Sequence, residues 1–325
     1  MDSSNTTNDE RPAPLLTQVR DCLKSIPDKG LFVCLVVLWL LPFAYWGNST
    51  FGYVDTSSMF RWMFSAYNSP GTEEEFGNFL PFVVLFLFYH ERSRLLPLMA
   101  RPWRPALGLL AAAAMLHVVG YVVQQPRISL AAMLMGGYCI LGVVWGWRFL
   151  VGSFFPYWLL FFCIPIGSLI ENITFPLRLL STDLSVWITT YIFGVPIIQD
   201  GVRIFDPEGL FQYEVAAACS GIRSLISLFI LTTIFSFVTV KAWWKRVVLI
   251  GLTVPLAIAG NVLRLLILML VSEIFGQKIG EMVHDWLGFI TFAISLSGIV
   301  IVQRWMERGE SERSPGPGRP AQAHA

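Results

Sequence analysis

Long runs of apolar side chains, recurring along most of the chain, constrain this protein more than any other feature. A helix rises about 1.5 Å per residue, so roughly 20 apolar residues cross the ~30 Å hydrocarbon layer of a bilayer. Eight such runs can be marked, over residues 30–47, 78–91, 104–123, 128–150, 154–172, 219–240, 246–271 and 284–303. The second is short and suits a tilted or partly interfacial segment. Composition agrees: 55% of the 325 residues are hydrophobic and 14% are charged, against about a quarter charged in ordinary soluble domains. With a net charge of +1 there is no excess of cations to neutralise phosphates, which argues against nucleic acid as a partner. The expected fold class is an all-α integral membrane protein of about eight transmembrane helices, with a small extracytoplasmic cap between spans five and six.

The distribution of Lys and Arg between the runs predicts orientation. With the N-terminus inside, 16 of the 23 basic residues fall on the cytoplasmic side, among them Arg20, Lys24, Lys29, Arg92, Arg94, Arg101, Arg104, Lys245 and Arg246. The other seven, which include Arg178, Arg203, Arg223 and Arg264, lie on or near the opposite side. Both termini are therefore expected in the cytoplasm of a cell bounded by a plasma (inner) membrane. The first run ends at Tyr45-Trp46-Gly47 without a small-residue cleavage site, so a retained span is expected rather than a signal peptide.

Four regions follow. Residues 1–29 form a polar cytoplasmic lead, 30–153 a four-span membrane region, 154–303 a membrane core and 304–325 a disordered cytoplasmic tail. The core carries the cap, residues 173–218. Within it, 176–193 repeats apolar side chains at helical spacing with polar ones between, which predicts a helix lying in the membrane interface. Gly194-Val195-Pro196 stops it. The stretches Ile197-Ile198-Gln199 and Val202-Arg203-Ile204, set around Asp200-Gly201 and Pro207-Glu208-Gly209, carry hairpin turn chemistry.

Ionisable groups beside membrane spans are costly, which makes them the place to look for chemistry. The densest cluster is Glu214-Val215-Ala216-Ala217-Ala218-Cys219-Ser220-Gly221-Ile222-Arg223. Cys219 would stand at the outer start of the sixth span, where unpaired backbone N–H groups and the helix dipole favour a thiolate. The small residues around it leave room for a substrate backbone; an inert small-residue packing motif would look the same. In the seventh span, Gly260-Asn261-Val262-Leu263-Arg264 puts Asn261 and Arg264 on one face, one turn apart, in the outer half. Snorkelling accounts for Arg264 but leaves Gly260 and Asn261 unexplained. At the outer start of the eighth span stands Glu281-Met282-Val283-His284, in which Glu281 could orient the imidazole. A Cys, an Arg and a His on three spans thus reach the same face, which is what thiol acyl transfer needs.

Other motifs fail. Cys22, Cys34, Cys139, Cys163 and Cys219 make no CxxC pair, so no zinc ribbon or disulfide framework is indicated. His90-Glu91-Arg92-Ser93-Arg94 has Arg94 where a zincin helix needs its second His. No Walker or GxGxxG sequence occurs, and neither a metal nor a cofactor is expected.

Taken together, Ala218-Cys219-Ser220-Gly221-Ile222-Arg223-Ser224-Leu225, Gly260-Asn261-Val262-Leu263-Arg264 and His284 resemble the exosortase/archaeosortase family of membrane cysteine transpeptidases. The resemblance covers roughly residues 155–300; residues 1–150 share with it only their membrane spans. It implies cleavage of a C-terminal sorting signal from exported proteins and transfer of the new end to a surface acceptor. That signal is a Pro-Glu-Pro-like motif, a hydrophobic span and a basic cluster. It further implies Cys219 as nucleophile, Arg264 as cationic stabiliser and His284 as proton-transfer residue, with Glu214, Ser220, Gly221, Arg223, Asn261 and Glu281 in substrate-binding or supporting roles. Two other readings stand beside it: a polytopic transporter or channel with outward-facing polar residues, and a membrane hydrolase using Ser220.

Overall fold

The computed structural model describes residues 14–311 apart from 52–53, 71, 73, 166–167 and 215–221. The chain divides into two compact units, Met1–Ile166 and Gly167–Ala325. Both are helical, and the fold is an all-α membrane fold with one small sheet.

The first unit contains α1 (Leu15–Ser25), α2 (Lys29–Trp46), α3 (Met59–Asn68), α4 (Leu80–His90), α5 (Arg92–Leu95), α6 (Pro105–Val122), α7 (Pro126–Gly152) and α8 (Phe154–Trp158). Three of these, α2, α6 and α7, are long and apolar enough to cross a bilayer. Helix α7 is the scaffold, since α2 and α6 both pack along it. Gly136 and Gly137 make this possible: a Cβ at the first would overlap the Trp39 ring, and one at the second the Tyr157 hydroxyl. The two side chains then bond to α7 carbonyls, Trp39 Nε1 donating to Met133 O at 2.9 Å and Tyr157 Oη to Leu134 O at 2.8 Å. Near its end α7 kinks at Gly146, whose φ of 86° suits glycine alone. The kink lets the 99–103 segment cross closely, with Ala100 N donating to Trp145 O (3.0 Å) and Trp103 N to Gly142 O (3.1 Å).

The apolar run expected over 154–172 is not one helix. Helix α8 passes into a 3-10 turn, Leu159–Cys163, and stops at Ile164, which is extended ahead of Pro165. A residue before proline is driven out of the helical region for steric reasons. Arg127 Nε donates to the Pro165 carbonyl at 2.7 Å, capping the break.

The second unit consists of α9 (Ser168–Tyr191), β1 (Ile198–Asp200), β2 (Arg203–Phe205), β3 (Gln212–Glu214), α10 (Ile222–Thr239), α11 (Trp243–Phe275) and α12 (Gln277–Ser311). The helix expected to lie in the interface over 176–193 is the later part of α9, and it packs lengthwise on α11. Ser185 Oγ approaches Val262 O at 3.4 Å, and one turn on Thr189 Oγ1 approaches Met269 Sδ at 3.8 Å, so the two helices run parallel. Its amphipathicity is inverted relative to a water-soluble helix. Arg178, Ser181, Thr182, Ser185 and Thr189 are buried, while Leu180, Leu184, Trp187 and Tyr191 face outward. The hydroxyls tolerate burial because each donates to a carbonyl one turn back, as Thr182 does to Arg178 O at 3.0 Å.

The strands form an antiparallel sheet in the order β1-β2-β3. A two-residue turn at Gly201 (φ 61°) joins the first pair. In the β2–β3 loop the buried Asp206 carboxylate accepts from the backbone N–H of Glu208 (2.9 Å) and Leu210 (3.1 Å), while Gly209 takes a φ of 80°. Ile204 and Phe211 turn inward onto Leu265, Leu268 and Met269, which seats the sheet on the last turns of α11. At the opposite end of α11, Lys245 Nζ donates to Met306 O (2.9 Å) and Arg246 Nε to Val240 O (2.7 Å).

Candidate functional site

Three helices of the second unit, α10, α11 and α12, pack on one another. Helix α10 begins shortly after β3, α11 ends beneath the sheet, and α12 begins two residues later, across Gly276 (φ 79°). Close packing of α11 on α12 comes from small residues. Gly260 brings its backbone to Ser295, where a Cβ would stand 2.8 Å from Oγ, and Ser295 Oγ lies 3.2 Å from Leu256 O. Tyr213 of β3 ties the sheet to this hairpin through its hydroxyl, 2.8 Å from Ser272 Oγ and 3.0 Å from Gln277 O. Burial raises the Tyr213 phenol above its ordinary pKa; the Ser272 hydrogen bond opposes the rise and the Glu281 carboxylate adds to it.

Asn261 and Arg264 are brought together by α11. Both line a small cavity of about 10 Å³, a volume on the scale that admits one water, bordered by Leu228 of α10 and by Thr291, Phe292 and Ser295 of α12. Asn261 is 5% exposed, and among the described residues neither its Oδ1 nor its Nδ2 has a hydrogen-bond partner. The Arg264 guanidinium lies against Gly288 of α12, where a Cβ would come 3.3 Å from Nη2 and 3.4 Å from Cζ. Position 284 is one turn earlier on α12, on the face that carries Gly288.

The remaining expected residues are distributed as follows. Glu281 is exposed on the first turns of α12 and accepts from Gln277 Nε2 at 2.8 Å; it does not line the cavity. Glu214 occupies β3 opposite Arg203 of β2, and Arg223 is the second residue of α10. Cys219, Ser220 and Gly221 lie outside the described residues, as do the side chains of Glu214, Arg223 and His284. Among the described residues no cluster of three His, Cys, Asp or Glu side chains could hold a metal.

Gly288, Thr291 and Ser295 were not singled out from the sequence. Their signal is nonetheless present: from residue 284 onward, positions 288, 291 and 295 step by four, three and four, placing small and hydroxyl residues on one face of an otherwise apolar helix.

A cation set against a glycine, beside a buried amide with no partner among the described residues, is equipped to hold developing negative charge. No curated protein and no solved structure matched the chain. A model of the transmembrane exosortase family matches residues 69–301. The match begins well before residue 155 and so takes in α4, α6 and α7, which the motifs alone had left as bare membrane spans. It includes Cys219, Asn261, Arg264 and His284, and the chain belongs to the transmembrane exosortase family of multi-pass membrane transpeptidases and proteases.

Proposed function

We propose that this protein is a cysteine transpeptidase or protease that cuts C-terminal sorting signals from exported proteins just outside the plasma membrane. The Cys219 sulfur attacks the scissile carbonyl carbon, forming a C–S bond as the carbonyl oxygen takes up negative charge. Arg264 stabilises that oxyanion, a role for which one well-placed donor contributes about 3–4 kcal/mol in other enzymes. Collapse breaks the C–N bond, and His284 passes the thiol proton to the leaving amine, a transfer typically worth about 10² to 10⁴ in rate. The thioester left on Cys219 is resolved by a nucleophile of the surface acceptor or by water.

The observation that carries this reading is the family match over 69–301, within which the Cys-Ser-Gly-Ile-Arg run, the Asn-x-x-Arg pair and the His all fall. The place of Arg264 beside Asn261, in a cavity that α10, α11 and α12 share, supports it, because a cation there suits the charge that develops on a scissile carbonyl oxygen. Substrates are taken to carry a Pro-Glu-Pro-like motif, a hydrophobic span and a basic cluster, as the family resemblance implies.

The test is processing of a surface protein bearing such a signal in cells expressing Cys219→Ala, Cys219→Ser or Ser220→Ala. Loss with both Cys219 variants and retention with Ser220→Ala is the expected pattern. Normal processing by Cys219→Ala would end the thiol mechanism, and loss with Ser220→Ala alone would favour a serine hydrolase.

A further inference from the structure

The segment read from the sequence as a polar lead contains an amphipathic helix, α1, that does not bury its apolar face. Its Gln18 side is fixed to the end of α4: Gln18 Oε1 accepts from Tyr89 Oη at 3.4 Å and from Arg92 Nη2 at 3.3 Å. Elsewhere on the helix Leu16 is 84% exposed and Leu23 56% exposed. Between α1 and the start of α2 lies an open notch of about 760 Å³. Val19, Ile26 and Val33 contribute apolar surface to it, and Arg20, Lys24 and Lys29 supply three cations. Gly30, which also lines it, adds no side chain to obstruct entry. The nearby carboxylates, Asp21 and Asp28, do not line the notch.

We propose that this notch binds one anionic phospholipid, its phosphate among Arg20, Lys24 and Lys29 and an acyl chain on the apolar surface. Three features favour a lipid over a free anion. Exposed leucines beside cations on one helix are what a helix resting in the headgroup region presents. Helix α2 is a membrane-crossing helix that begins at Lys29, so the cations stand at one end of its apolar length, where a headgroup would be. From the notch an exposed stripe continues along α2 through Val33, Val37 and Leu41, one turn apart, giving the chain a track into the hydrocarbon layer. A soluble phosphate would use the cations and leave the notch floor and the stripe uncovered.

The full-length protein, reconstituted in nanodiscs of equal phosphatidylcholine and phosphatidylglycerol and released into the gas phase, reports retained lipid by native mass spectrometry. Wild-type protein is expected to keep phosphatidylglycerol over phosphatidylcholine by at least about tenfold. The Arg20→Gln/Lys24→Gln/Lys29→Gln variant should lose that preference, while Arg304→Gln/Arg308→Gln, at the end of α12, should keep it. Glycerol phosphate, lacking acyl chains, should not displace the lipid. Equal retention of the two lipids by wild type, an unchanged preference in the triple variant, or displacement by glycerol phosphate would each overturn the proposal. A thermal unfolding curve for the triple variant guards against misfolding, and Val33→Asn, which leaves all three cations in place, should weaken retention by removing only the track.

Discussion

The guanidinium of Arg264 packs on the bare backbone of Gly288, with Nη2 3.3 Å from where a Cβ would stand. An arginine in an apolar setting needs its charge held in one place if that charge is to act on a reaction, and here the contact surface is an absent side chain. The Gly288→Ala variant should displace the guanidinium by a few tenths of an ångström and slow signal processing several-fold. Gly288→Val should displace it further; a misplacement near 1 Å can cost about 10² in rate. Processing assays with matched protein levels check this, and a Gly288→Val protein with wild-type rate would mean that Arg264 does not act at its present position.

Asn261 gives the opposite balance of stability and activity. Its buried amide has no partner among the described residues, so replacing it with the similarly sized, apolar Leu should leave thermal stability unchanged or raise it, by up to about 1–3 kcal/mol. If the amide serves the reaction through the cavity it shares with Arg264, processing falls in the same variant, and Asn261→Ser restores part of it. A less stable Asn261→Leu would contradict the packing described above.

Beside its apolar seat on α11 and the Gln212 N–H donated to Gln277 Oε1 at 3.4 Å, the sheet is fastened to the α11–α12 hairpin by the Tyr213 phenol. Tyr213→Phe removes the contacts with Ser272 Oγ and Gln277 O and should cost about 1 kcal/mol. The loss should be local, read as faster hydrogen exchange over residues 198–214 with little change in α10 or in the far half of α11.

In the first unit, Gly146→Ala should be among the most damaging single-methyl changes. It combines a positive φ of 86° with overlap onto the Arg101 carbonyl, and strained backbone of this kind costs about 1–3 kcal/mol before the clash is counted. Yield of folded protein in detergent is the measurement. Gly108→Ala, with nothing within 4 Å of the added methyl, is the matched control.

Apolar length made the membrane helices legible, and turn chemistry did the same for the sheet: Asp200-Gly201 and Pro207-Glu208-Gly209 sit at its two turns. Of the eight runs, those at α2, α6, α7, α11 and α12 form helices long enough to cross a bilayer, while those at α4, 154–163 and 225–239 form shorter apolar helices. What failed has physical reasons. Hydropathy averaging passed over Pro165, whose steric demand on Ile164 outweighs an apolar neighbourhood. The period of α9 was readable but its direction was not, because spacing alone cannot say whether water or lipid covers the outer face. Helix α1 was lost among the prolines and charges around it. Within the site, Asn261 and Arg264 were legible because polar groups stand out in an apolar helix; Gly288 was not, since a glycine is conspicuous only once something is found resting on it.

The glycine and serine contacts between α11 and α12 also bear on how tolerances are distributed. Gly260 against Ser295, Arg264 against Gly288 and Gly298 against Leu256 clamp the two helices at successive levels, and Gly276 closes the hairpin at one end. Position 264 and position 284 therefore travel as a single rigid part, their spacing set by helix geometry rather than by any loop.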